Sequence, residues 1–95
     1  MKETNRTYYL VWERLVAKRE ESEKIYEDYI FRDGKWFPDN EHIIMDHLVG
    51  YDPSEPEDSP YRIGSTSVLM EMDEISEQDA VEIMNRQTLS IQKEL

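Results

Sequence analysis

Apolar positions along the chain fall into groups, and the spacing within each group predicts an element. Tyr8, Val11, Trp12, Leu15 and Val16 recur at i, i+3, i+4, i+7 and i+8. That spacing predicts one face of a helix, with Thr7 as N-cap and the helix-forming residues 17–21 continuing it. Tyr, Val and Trp are also strand-prone, so a strand is the rival reading. Asp33-Gly34 stands between the apolar stretches 29–32 and 35–37. Asp-Gly supplies the positive φ of a type I′ turn, which predicts a short hairpin with Arg32 opposite Lys35 and Phe31 opposite Trp36. Pro38 ends the second strand. Asp39 or Asn40 then caps a helix to about Val49, with Gly50 as its C′ residue and Ile44, Met45, Leu48 and Val49 as its apolar face.

Residues 65–67 offer another cap. Val68, Leu69, Met72 and Ile75 follow at helical spacing, with a strand again the rival. Ser76 opens the last helix, with Asp79 at the position of a capping-box partner. Ala80, Ile83, Met84, Gln87, Ile91 and Leu95 track one face of it. Together these elements predict a mostly α fold with one short β-hairpin, a small α+β single domain over residues 1–95. The alternative is an α+β fold with a three-stranded sheet that uses residues 8–16 and 66–73.

Residues 50–64 interrupt both halves. They hold three of the four prolines and two of the three glycines. Pro53, Pro56 and Pro60 lock φ and remove donors, so neither a helix nor an inner strand runs through. Asp52, Glu55, Glu57 and Asp58 meet no base before Arg62, and Tyr51 and Tyr61 flank them. This stretch is read as an acidic connector or as a stiff recognition strap with aromatic anchors beside charge.

Composition sharpens the picture. At 95 residues the chain is one domain, and 11% aromatics argues for a folded one. There is no cysteine, which excludes disulfides and thiolate metal sites and points to a reducing, cytoplasmic compartment. No signal peptide is visible, and no stretch approaches the roughly 20 apolar residues of a membrane span. The formal net charge is −11. Residues 1–24 carry +1 and residues 25–95 carry −12. Glu71, Asp73, Glu74, Glu77, Asp79 and Glu82 follow one another with no base between them. Such a field repels nucleic acid and anionic lipid and attracts basic protein surfaces.

Candidate chemistry is sparse. Glu41, His42, Asp46 and His47 form the one candidate metal cluster. His42 and His47 are five apart, about 140° around a helix, so they do not converge as helical zinc ligands do. The sequence carries no nucleophile elbow, phosphate-binding glycine loop or cysteine nucleophile. No stretch resembles a known family. No catalysis, cofactor or metal is therefore expected. The expected function is a non-catalytic acidic module that docks on a basic surface of a partner protein. Its sharper form is a nucleic-acid mimic of the anti-restriction or anti-CRISPR type, aimed at a nucleic-acid-binding protein. The expected partner-binding residues are Asp52, Glu55, Glu57 and Asp58 with Tyr51 and Tyr61, then Glu71, Asp73 and Glu74, and Trp36 on the hairpin. The alternative is a subunit of a homo-oligomer or larger assembly with an aromatic interface.

Overall fold

Strand pairing organises this chain more than helix packing does. The computed structural model describes residues 5–60 and 62–94, with side chains as far as residue 90. Its elements in order are β1 (Asn5–Val11), β2 (Leu15–Glu21), β3 (Tyr26–Arg32), β4 (Lys35–Pro38), α1 (Ile43–Val49), α2 (Thr66–Leu69), β5 (Met72–Ile75) and α3 (Glu77–Glu94). The five strands form one antiparallel sheet in the order β4-β3-β2-β1-β5. The first four make a meander, and β5 returns along the free edge of β1.

The expectation of a mostly α fold with a single hairpin is therefore wrong. The three-stranded alternative also falls short, because residues 8–16 are parts of two strands and a turn. The physical reason lies in the burial pattern. Tyr8, Tyr9 and Val11 are all buried, and so are Leu15, Val16 and Ala17. The sheet is covered on both faces, so β1 and β2 bury neighbours of both parities and show no alternation. On one face Tyr9, Val11, Leu15, Ala17 and Ile30 pack with Ile43 and Ile44 of α1. On the other, Tyr8, Val16 and Phe31 pack with Ala80, and Ile83 and Met84 of α3 lie against them.

The turn between β1 and β2 hides itself in another way. Trp12 and Glu13 have φ of 54° and 58°, and the Arg14 N–H donates to the Val11 carbonyl at 3.1 Å. Positive φ at both central residues is type I′ behaviour, without the glycine or asparagine that signals it. Left-handed backbone costs an L-residue roughly 1–2 kcal/mol. Glu13 is exposed, so Glu13→Gly should stabilise the domain by about 0.5–1 kcal/mol, net of glycine's extra freedom when unfolded. Urea unfolding checks this, and an unchanged or lower midpoint counts against the strained turn.

Other local readings meet a clearer outcome. Asp33 and Gly34 have φ of 53° and 76°, and across them Arg32 pairs with Lys35 and Phe31 with Trp36. That turn joins the edge of a five-stranded sheet, not an isolated hairpin. The buried Asp39 carboxylate accepts from the N–H groups of Ile43 (3.0 Å) and Ile44 (2.9 Å) and so caps α1. Gly50, with φ 67°, closes its other end. The buried face of α1 is Ile43, Ile44 and His47, so Leu48 and Val49 look outward, contrary to expectation. Residues 68–75 are not one helix, because α2 lasts four residues and β5 follows. Ser76 does cap α3, accepting through Oγ from the Asp79 N–H at 3.1 Å. Ile91 and Leu95 lie outside the described side chains. Both sheet edges are guarded, β4 by Lys35 and Pro38 and β5 by Asp73 and Glu74.

Candidate functional site

Three segments distant in sequence meet beside the β1–β2 turn. Glu71 lies between α2 and β5, and its carbonyl accepts from the Trp12 N–H at 2.8 Å. This bond carries the β1–β5 ladder one step into the turn. The Glu71 carboxylate faces the same way. Its Oε2 accepts from Trp12 Nε1 at 2.8 Å and lies 3.1 Å from His47 Nε2. His47 belongs to α1, and its Nδ1 lies 2.8 Å from the Ile43 carbonyl one turn back. Only 6% of His47 is exposed. The Trp12 and His47 rings meet edge to face, 5.3 Å between centroids.

The fourth segment is the proline stretch, which closes on itself. Ser65 N–H donates to the Gly50 carbonyl at 2.9 Å, Gly64 N–H to the Val49 carbonyl at 2.8 Å, and Asp52 N–H to the Arg62 carbonyl at 2.7 Å. Ends this close make the stretch an Ω-loop, not an extended strap. Inside it, turn bonds run from Glu55 N–H to Asp52 O, Ser59 N–H to Pro56 O and Arg62 N–H to Ser59 O. Asp52 accepts from the Ser54 N–H (3.0 Å) and hydroxyl (2.6 Å). The Arg62 guanidinium hydrogen-bonds the Tyr51 hydroxyl and covers its ring at 5.0 Å.

Between these segments lies a cleft of about 390 Å³. Trp12 and Tyr51 give it aromatic walls, and Glu41, Asp46, Asp52 and Glu71 give it four carboxylates. No lysine or arginine lines it among the described residues. The hydrogen bond from Trp12, and then that from His47, hold the Glu71 carboxyl below the usual carboxylate range. The Ser54 hydroxyl, and then the Ser54 N–H, do the same for Asp52. A second hollow of about 430 Å³, between the β1–β2 and β3–β4 turns, mixes Arg14 and Arg32 with Asp33 and has no single charge preference.

The expected site residues divide accordingly. Tyr51, Asp52 and Glu71 come together in the cleft. Glu55 accepts from the Ser59 hydroxyl at 3.1 Å within the loop, and Glu57 and Asp58 are exposed on it. Asp73 and Glu74 do not form one surface with Glu71. They alternate along β5, Asp73 opposite Leu10 and Glu74 opposite Tyr9, and so point to opposite faces of the sheet. Trp36 lies far from the cleft in register. It packs edge to face on Phe31 at 5.3 Å, with Lys18 Nζ 4.3 Å over its ring. Tyr61 lies outside the described residues.

Sequence reasoning missed Trp12, Glu41, Asp46 and His47 as parts of a binding cleft. The last three drew attention only as metal ligands. Among the described residues, no group of three His, Cys, Asp or Glu side chains is placed to hold a metal ion. Nor is any helix among them long and apolar enough to cross a membrane. No family model, curated protein or solved structure matches the chain.

Proposed function

We propose that this protein is a non-catalytic, cytoplasmic interaction module that docks on a basic surface of a partner protein through the cleft. The supporting observation is the cleft itself, lined by four acidic residues and two aromatic side chains, with the Glu41 carboxylate also 3.9 Å from the Arg32 guanidinium at its rim. A guanidinium or ammonium group from a partner gains charge pairing there and an aromatic face to lie on. The Ω-loop acids Glu55, Glu57 and Asp58 extend the same sign of charge beyond the cleft and steer the approach.

Titration with a nona-arginine peptide, followed residue by residue by amide NMR, tests this reading. Shifts are expected to concentrate on residues 12, 46, 51, 52 and 71. Glu41→Lys with Asp46→Lys should weaken binding at least tenfold and flatten its salt dependence, with the fold intact. Reversal of Glu55, Glu57 and Asp58 should slow association more than it weakens the complex. Shifts spread evenly over every acidic residue, α3 included, would refute the cleft as the docking site. Competition by duplex DNA for a protein partner would mark that partner's surface as a nucleic-acid site and support mimicry.

A further inference from the structure

We propose that β5 is a docking edge, on which a basic, extended segment of a partner protein adds as a further strand of the sheet. This deepens the docking function above and rests on it for the sign of the partner's charge. What it adds is the form in which the partner binds.

The sheet has two edges, β4 and β5, and their backbones offer different things. The Trp12 N–H donates to the Glu71 carbonyl at 2.8 Å, and Val11 stands opposite Met72. Residues 12 and 71 are therefore a bonded pair of the β1–β5 ladder, and bonded pairs alternate along an antiparallel ladder. Asp73 and Ile75 then turn their backbone groups toward β1, and Met72 and Glu74 turn theirs outward. An incoming strand finds two N–H donors and two carbonyl acceptors along β5. On the other edge the Asp39 N–H donates to the Asp28 carbonyl at 2.8 Å. By the same alternation Lys35 and Phe37 face β3, and Trp36 and Pro38 face outward. Pro38 has no N–H, so β4 offers an incoming strand a single donor. Strand addition therefore favours β5.

The side chains of β5 set the chemistry of the occupant. Met72 packs on the face shared with α1, and Ile75 on the face shared with α3. Alternation puts Glu74 beside Met72 and Asp73 beside Ile75. Each face thus presents one acid and one half-buried apolar side chain. Both acids are exposed, and among the described residues neither is paired with a base. The complement of β5 is a strand that reads apolar, basic, basic, apolar, the same in either direction. A second copy of this chain fits badly. Two β5 strands joined about a two-fold axis through the strand set Asp73 against Asp73, or Glu74 against Glu74, and like charges directly opposite destabilise a sheet. The acids that guard this edge against its own copy favour a strand of the other sign. β5 begins directly after Glu71, so one end of the added strand lies beside the cleft.

The probe is a short peptide with the core Val-Lys-Arg-Val in three forms: unmodified, and N-methylated at either of the two alternate pairs of core amides. In an added strand only one alternate pair faces β5, whichever way the strand runs. At least tenfold weaker binding is expected for one methylated form, with little change for the other. The Met72 and Glu74 amides should become protected from hydrogen exchange when the unmodified peptide binds. Glu74→Pro removes an outward donor as well as a charge, and should bind the peptide more weakly than Glu74→Gln. Equal affinity of the two methylated forms would overturn strand addition. So would Met72 and Glu74 amides left unprotected at millimolar unmodified peptide. Protection of these amides that grows with protein concentration and needs no peptide would overturn the basic partner in favour of a second copy. Failure of the cleft reads out separately. Protection at Met72 and Glu74 that survives Glu41→Lys with Asp46→Lys supports the edge without the cleft, and shifts at residues 12, 46, 51, 52 and 71 without that protection leave the cleft and remove the edge.

Discussion

Asp28→Ala is expected to lower stability by about 3–5 kcal/mol, enough to leave much of a small domain unfolded. Arg19 sits on the sheet face shared with α1, 9% exposed. Its guanidinium holds the Asp28 carboxylate with two parallel bonds, Nε to Oδ1 at 2.7 Å and Nη2 to Oδ2 at 2.9 Å. The Tyr26 ring lies 4.2 Å from Cζ and shields it further. Removing the carboxylate strands a buried cation, and stranding a charge costs more than the pair contributes. Asp28→Asn keeps an acceptor and should cost less. Replacing both partners with leucine should restore much of the loss, because two apolar side chains leave nothing unpaired. The contrast is Glu20→Gln, which removes an exposed partner of Arg6 and should barely move the midpoint. Urea unfolding of the four variants decides the matter. A loss below about 1 kcal/mol for Asp28→Ala would show that water reaches the guanidinium.

Gly50→Ala is expected to cost about 2–4 kcal/mol and to disable the cleft, whereas Gly64→Ala should cost about 1 kcal/mol. Both glycines have positive φ, 67° and 78°. What separates them is space. A Cβ at Gly50 would lie 2.8 Å from the Ser65 nitrogen and 3.0 Å from two backbone atoms of Gly64. At Gly64 it would meet nothing within 4 Å. Gly50 is where the end of α1 crosses the closure of the Ω-loop, so relieving the clash must part the two. Tyr51 and Asp52 follow directly and would leave the cleft. Nona-arginine binding should therefore weaken in Gly50→Ala and persist in Gly64→Ala. Equal melting and binding for the two would show that the loop base is looser than its bonds imply.

Sequence alone determined the parts whose signals are local. Ser76 with its following acids starts α3, Asp39 and Gly50 bracket α1, and Asp33-Gly34 makes a turn with the expected register. In each, the deciding bond or backbone angle belongs to residues within five positions of one another. The acidic balance was equally legible, being a sum that needs no coordinates.

The sheet was decided by tertiary structure. β1 and β2 lack alternation because α1 and α3 bury both of their faces, and period-2 patterning survives only where one face meets water. The Trp12-Glu13 turn carries no turn signature because its left-handed backbone is held by Glu71, 59 positions away. β5 is four residues long, and its strand identity comes from pairing with β1. The site follows the same division. That acids cluster at 52–58 and 71–74 is visible in the chain. That Asp52 and Glu71 line one cleft with Asp46 and Glu41, while Asp73 and Glu74 part to opposite faces, depends on closure of the Ω-loop and on strand geometry beyond Glu71. Those are long-range contacts, which no window of local sequence contains.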